Sequence, residues 1–157
     1  MSTNETSAPP MPRPGVSVMV FKGDQVLLGQ RGKPPRAGLW SLPGGRIEPG
    51  ETVVDGGARE LFEETGVRAR IKGVVAVRDS IERTASGDVA WHYVLSILVA
   101  EWDAGHAIAA SDCVAVRWST VAELDGLAMT EGTAALIRDV AALRRDPGSV
   151  AWYRPVL

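Results

Sequence analysis

Apolar residues along this chain recur in two rhythms, and each rhythm predicts a different element. Residues 15–21 (GVSVMVF) are β-branched and apolar and predict a strand. Lys22-Gly23-Asp24 is a turn, and residues 25–30 return as a second strand, so the pair predicts a hairpin. Residues 31–38 (RGKPPRAG) form a basic loop broken by prolines, and residues 39–43 are a short extended piece leading to Gly44-Gly45. The rhythm then changes. Val54, Ala58 and Leu61 recur at i, i+4 and i+7 and predict a helix over about 52–65, stopped by Gly66. Strands follow at 69–78 and 90–102, joined by a polar loop at 79–88, with another strand at 114–118. Ser119-Thr120 caps a helical turn ending near 125–126. A second helix spans 130–145, with Ala134, Ile137, Val140 and Ala141 on one side. This order predicts a layered α/β (α+β) domain over residues 15–147. Residues 1–14, rich in Ser, Thr and Pro, read as a flexible tail. Residues 148–157 form a second tail, whose Trp152 and Tyr153 suit docking on the body or on a second copy in a homodimer.

Composition narrows the classes. A chain of 157 residues with 45% hydrophobic content suits one domain with a core. The net charge of −2 argues against nucleic acid as a partner. Cys113 is the single cysteine, so no intrachain disulfide forms, and a reducing compartment is expected. The apolar run 93–100 is too short to span a bilayer, and the N-terminus lacks the basic start and apolar run of a signal peptide. The expectation is a cytoplasmic protein without membrane attachment.

The segment 44–67, GGRIEPGETVVDGGARELFEETGV, concentrates glutamates at 48, 51, 60, 63 and 64. Like charges three or four positions apart weaken a helix, so something should compensate. On a helix, Glu60, Glu63 and Glu64 fall within an arc of roughly 100°, expected opposite the apolar stripe. Clustered carboxylate oxygens suit Mg²⁺ or Mn²⁺. Mg²⁺ takes few protein carboxylates and completes its shell with water and phosphate oxygens, which points to phosphate chemistry. A solvated acidic helix face is the plain alternative for such a triplet taken alone.

The wider spacing separates the two readings. Gly45, five residues, Glu51, seven residues, Arg59-Glu60-Leu61, one residue, Glu63-Glu64, one residue, Gly66-Val67: at every defined position this resembles the signature of the Nudix hydrolase family. The resemblance implies an α/β/α sandwich with a mixed β-sheet between helices. It implies Mg²⁺-dependent hydrolysis of the pyrophosphate bond of a nucleoside diphosphate linked to another group. Glu60, Glu63 and Glu64 would then hold the metal, with the backbone carbonyl of Gly44 completing a site. Glu51 and Arg59 would brace the loop against the helix. The general base would be Glu60 or Glu63, or Asp112 from the loop before the last strand. Arg31 is the expected phosphate contact, with Gly45 beside it in the substrate-binding set. Stretches outside the box resemble the small bacterial ADP-ribose pyrophosphatase-like branch. The alternatives are a pyrophosphatase acting on oxidised nucleoside triphosphates of the 8-oxo-dGTP type and a non-catalytic nucleotide-sensing domain. None of the five tryptophans is singled out by the sequence as a stacking residue.

Overall fold

The computed structural model describes residues 10–146. Seven strands, β1 (Arg13–Lys22), β2 (Gln25–Arg31), β3 (Trp40–Ser41), β4 (Gly44–Arg46), β5 (Arg68–Arg83), β6 (Val89–Ala104) and β7 (Cys113–Thr120), form one sheet. Helix α1 (Val53–Thr65) covers one face, and α2 (Thr133–Arg145) with a 3-10 turn at Val121–Gly126 covers the other. The sheet is mixed: β1 runs parallel to β6 from the Arg13–Tyr93 pair to Phe21–Glu101, and the other pairings are antiparallel. The α/β/α sandwich expected from the sequence is the observed architecture.

Strand periodicity builds both halves of the core. Val16, Val18 and Val20 point toward α1 and pack with Leu27, Leu61 and Leu98. Met19 and Phe21 point the other way and pack with Leu28, Ile137 and Val140 under α2. β1 and β2 pair only at their hairpin end, Phe21 with Val26 and Lys22 with Gln25. Residues 40–46 fill the remaining gap, pairing first with β2 and then with β1, where Ser17 meets Gly44. This crossing delivers Gly44-Gly45 beside the end of α1.

One buried face and three boundaries differ from the pattern reading, each for a physical reason. The buried face of α1 is Gly56, Gly57, Leu61 and Thr65, whereas Ala58 is exposed. A Cβ on Gly57 would lie 2.6 Å from the Leu98 side chain, so glycine is what lets the helix sit against the sheet, and glycine carries no hydrophobic signal. The hairpin of β5 and β6 reaches through residues 79–83, which looked like loop. Their partners Val94, Tyr93, His92 and Trp91 supply the cross-strand surface, and the turn proper is 84–88. α2 starts at Thr133 because the backbone of 128–130 is bonded to Trp40 instead, with N···O distances of 2.8 and 2.9 Å. β1 begins at Arg13, two residues early, because Arg13 and Pro14 continue the ladder to Tyr93 and Val94. The C-terminal Trp152 and Tyr153 lie outside the described residues. Among the described residues, no helix is long and apolar enough to cross a membrane.

Candidate active site

Local chemistry fixes both ends of α1. The Thr52 hydroxyl caps its start by accepting from the Asp55 N–H at 3.1 Å. Gly66 ends it in the left-handed region (φ 68°), donating its N–H to the Phe62 carbonyl. Because Leu61 is buried, Glu64 and Glu60 lie on the flank of the buried face, not opposite it as the pattern reading had it. That flank borders a cleft of about 1340 Å³, lined among others by Gly44, Gly45, Glu60, Glu63, Glu64, Arg31 and Asp112. Every residue expected at the metal, the base and the phosphate therefore meets in one cleft.

Glu64, like Glu60, is partly buried, whereas Glu63 is exposed. The Glu64 Oε2 accepts from the Gly44 N–H at 3.0 Å. Burial raises its pKa from 4.5 to about 7; Glu60 and Asp112 push the same way, and the Gly44 bond and the Arg31 charge oppose them. Arg31 and Asp112 thus lie within electrostatic reach of Glu64. Gly45 stands so close to Glu60 that a Cβ there would lie 2.4 Å from the carboxylate carbon. A side chain at this position would push Glu60 out of place.

Arg59 and Glu51 form the brace the sequence suggested. The guanidinium meets Glu51 through two prongs, at 2.7 and 3.0 Å, and donates to the Arg46 carbonyl at 3.0 Å. This partner, with the Glu48 N–H, holds the Glu51 carboxyl down at about 2. Arg59 also reaches Glu60 at 3.1 Å and Glu63 at 3.2 Å. It ties the glycine loop to the helix and supplies the positive charge that the glutamate cluster requires. Glu63, half exposed, is held by this contact on its solvent side. Elsewhere along the cleft, Lys33 pairs with Asp112 at 2.5 Å and the Gly32 N–H bonds the Asp112 carbonyl, strapping two loops together.

Among the described residues, no three His, Cys, Asp or Glu side chains are converged as a finished ion cage. Arg59 draws Glu60 and Glu63 toward itself, and Glu64 is turned to Gly44. The donor set nevertheless fits a hard divalent cation. The carboxylates share one helix along the cleft, and Glu64 carries a charge that burial disfavours and a cation would stabilise. Cys113 adds no thiolate, since burial, its largest influence, raises its pKa, and its Sγ–H donates to the Ala115 carbonyl.

The aromatic part of the cleft was not legible in advance. Arg36, Arg78, Ser80, Trp91 and Tyr93 line it together with Glu131 and Gly132 at the start of α2. Arg78 donates to the Glu131 carbonyl at 3.0 Å, tying β5 to α2. The available signal was alternation across 79–83 and 91–95, hidden by the polar composition of the first segment.

The family model of the NUDIX domain matches residues 11–140. The chain is 35% identical over 95 residues to the ADP-ribose pyrophosphatase of Methanocaldococcus jannaschii, covering 60% of this chain and 56% of that one. It is 38% identical over 60 residues to a putative 8-oxo-dGTP diphosphatase of Bacillus subtilis, covering 38% of each. The matches thus span about half or less of these two relatives' lengths. The crystal structure of a MutT NUDIX hydrolase from Burkholderia pseudomallei superposes with a TM-score of 0.73 at 26% identity, covering 83% of this chain and 98% of that one. With Gly45, Arg59, Glu60, Glu63 and Glu64 of the signature lining one cleft and the family model matching most of its length, this chain belongs to the Nudix hydrolase family.

Proposed function

We propose that the protein hydrolyses the pyrophosphate bond of a nucleoside diphosphate linked to another group, and that its substrate is ADP-ribose or a similar nucleotide sugar. The observation that carries this reading is the placement of Glu60, Glu63 and Glu64 along one cleft that Arg31 and Asp112 also line, both within electrostatic reach of Glu64. The similarity to an ADP-ribose pyrophosphatase favours the nucleotide sugar. Glu60, Glu63 and Glu64 would hold Mg²⁺, or Mn²⁺ in its place, with the Gly44 carbonyl as a further donor. When bound, the cation neutralises pyrophosphate oxygens and makes water a better nucleophile.

The chain's own groups do the rest. The Gly44 N–H fixes the orientation of Glu64, and Arg59 fixes Glu60 and Glu63. Arg31 steadies the phosphate charge. The proton released as water attacks phosphorus goes to Glu60 or Glu63, or to Asp112. The products are a nucleoside monophosphate and the phosphate ester of the other group.

A pyrophosphatase acting on oxidised nucleoside triphosphates is the second reading, favoured by the similarity to a putative 8-oxo-dGTP diphosphatase. A panel of nucleotide sugars and nucleoside triphosphates, assayed with Mg²⁺ and again with EDTA, separates the two. Monophosphate and sugar phosphate from ADP-ribose support the first, and pyrophosphate from triphosphates supports the second. Tight nucleotide binding with no turnover on any substrate would instead mark a sensing domain.

A further inference from the structure

We infer that the part of the cleft lined by Trp91 and Tyr93, where Arg36 stands over Trp91, seats the nucleobase of the bound nucleotide. The inference rests on the proposed function only in taking the ligand to be a nucleotide.

Cleft size is the first support. At about 1340 Å³ the cleft exceeds the roughly 300–1,000 Å³ of a typical small-ligand pocket, so a cation and a diphosphate at the α1 end leave much of it unfilled. Part of its lining is aromatic. Trp91 and Tyr93 both line it, with ring centroids 5.5 Å apart and planes tilted by 57°. Alternation along β6 puts both side chains on the face that Leu95 and Ile97 also line.

The other described tryptophans are committed elsewhere. Trp40 packs against the core under α2. Trp102 and Trp118 pack against the core under α1, and the Trp102 indole N–H donates to the Gly105 carbonyl at 3.1 Å. Lys22 lies over both of these rings, 4.1 and 5.7 Å from their centroids. Among the described tryptophans, Trp91 alone lines the cleft.

Arg36 shows what the Trp91 face accepts. Its guanidinium carbon stands 5.2 Å from the centroid of the indole ring, so a flat, π-compatible group already occupies that seat. The guanidinium is lightly held, by one bond to the Ser80 hydroxyl at 3.1 Å and by Glu82 at 3.8 Å. A nucleobase takes the same seat with a larger π-surface, and the guanidinium swings on its flexible stem to cap the outer face of the base. The basic loop before the signature then has two duties: Arg31 at the phosphates and Arg36 at the base.

Calorimetric titrations in Mg²⁺ with AMP, GMP, CMP, UMP and ribose 5-phosphate test this, since none of these has a pyrophosphate bond to cleave. In Trp91→Leu, the affinity for the best-bound nucleotide should fall about ten- to hundredfold, Trp91→Phe should restore most of it, and ribose 5-phosphate should change less than twofold. As a check that needs no Leu variant, the same nucleotide should quench a component of tryptophan emission in the wild type that is missing from Trp91→Phe. Unchanged nucleotide affinity in Trp91→Leu, an equal loss for ribose 5-phosphate, or no binding of any nucleotide to the wild type each overturns the inference. A failure of the proposed hydrolysis appears separately, as absent turnover with nucleotide binding intact.

Discussion

Replacing Glu64 with Gln should stabilise the metal-free protein while disabling it. The folded-state pKa of Glu64 is raised from 4.5 to about 7, chiefly by burial. A carboxyl group whose pKa is higher in the folded state favours folding while it is protonated. That contribution is complete below pH 4.5 and is lost as the pH rises through about 7. At pH 8 the ionised group therefore costs the fold up to about 3 kcal/mol relative to its protonated form. Gln is neutral at every pH, and its carbonyl can still accept from the Gly44 N–H. In EDTA at pH 8, Glu64→Gln should melt above the wild type by several degrees, at about 2–4 °C per kcal/mol for a domain of this size. The two melting curves should converge at pH 4.5. With Mg²⁺ the order should narrow or reverse, because the wild type gains binding energy that the variant lacks. Turnover by the variant should fall by orders of magnitude. Thermal melts from pH 4.5 to 8.5, with EDTA and with Mg²⁺, provide the test. A variant that melts below the wild type at pH 8 in EDTA, or a difference that does not depend on pH, refutes the reasoning.

Gly45→Ala should fold normally yet lose at least about tenfold in turnover, because its Cβ would meet the movable end of the Glu60 side chain and not backbone; melting and kcat measured together separate the two effects. Gly57→Ala should do the opposite. A gain in helix propensity of about 1 kcal/mol is outweighed by overpacking against Leu98, Val16 and Val18, typically about 1–3 kcal/mol, so denaturation midpoints should drop. Glu51→Gln should be destabilised near neutrality. Its folded pKa of about 2 lies below 4.5, so the carboxylate's contribution is present above pH 4.5 and is lost as the pH falls through about 2; the gap to the wild type should close between those values in an acid titration of stability.

What could be read in advance follows from where information sits in the chain. β1 was legible because both of its faces are buried, so its apolar residues announce it on either side. The signature was legible because each of its groups has a fixed partner: Arg59 on Glu51, Glu64 on the Gly44 N–H, Gly45 against Glu60. The face of α1 was misread by one position because Gly56 and Gly57 make the contact with their backbone, leaving Ala58 to imitate a core residue. Residues 79–83 looked like loop because their mostly polar side chains are matched by partners six to fifteen positions later, across the turn. The aromatic end of the cleft was lost with them. Trp91 could be distinguished from Trp40, Trp102 and Trp118 only once the sheet register placed it on the cleft face.

The proposed hydrolysis requires Glu60, Glu63 and Glu64 to hold a divalent cation in the cleft. Anomalous diffraction from crystals grown with Mn²⁺ measures this directly. The account predicts a peak within bonding distance, about 2.0–2.3 Å, of carboxylate oxygens of Glu64 and Glu60, with Glu60 drawn away from Arg59. A peak bound elsewhere, or an empty cleft in crystals whose protein still hydrolyses substrate in EDTA, would contradict it.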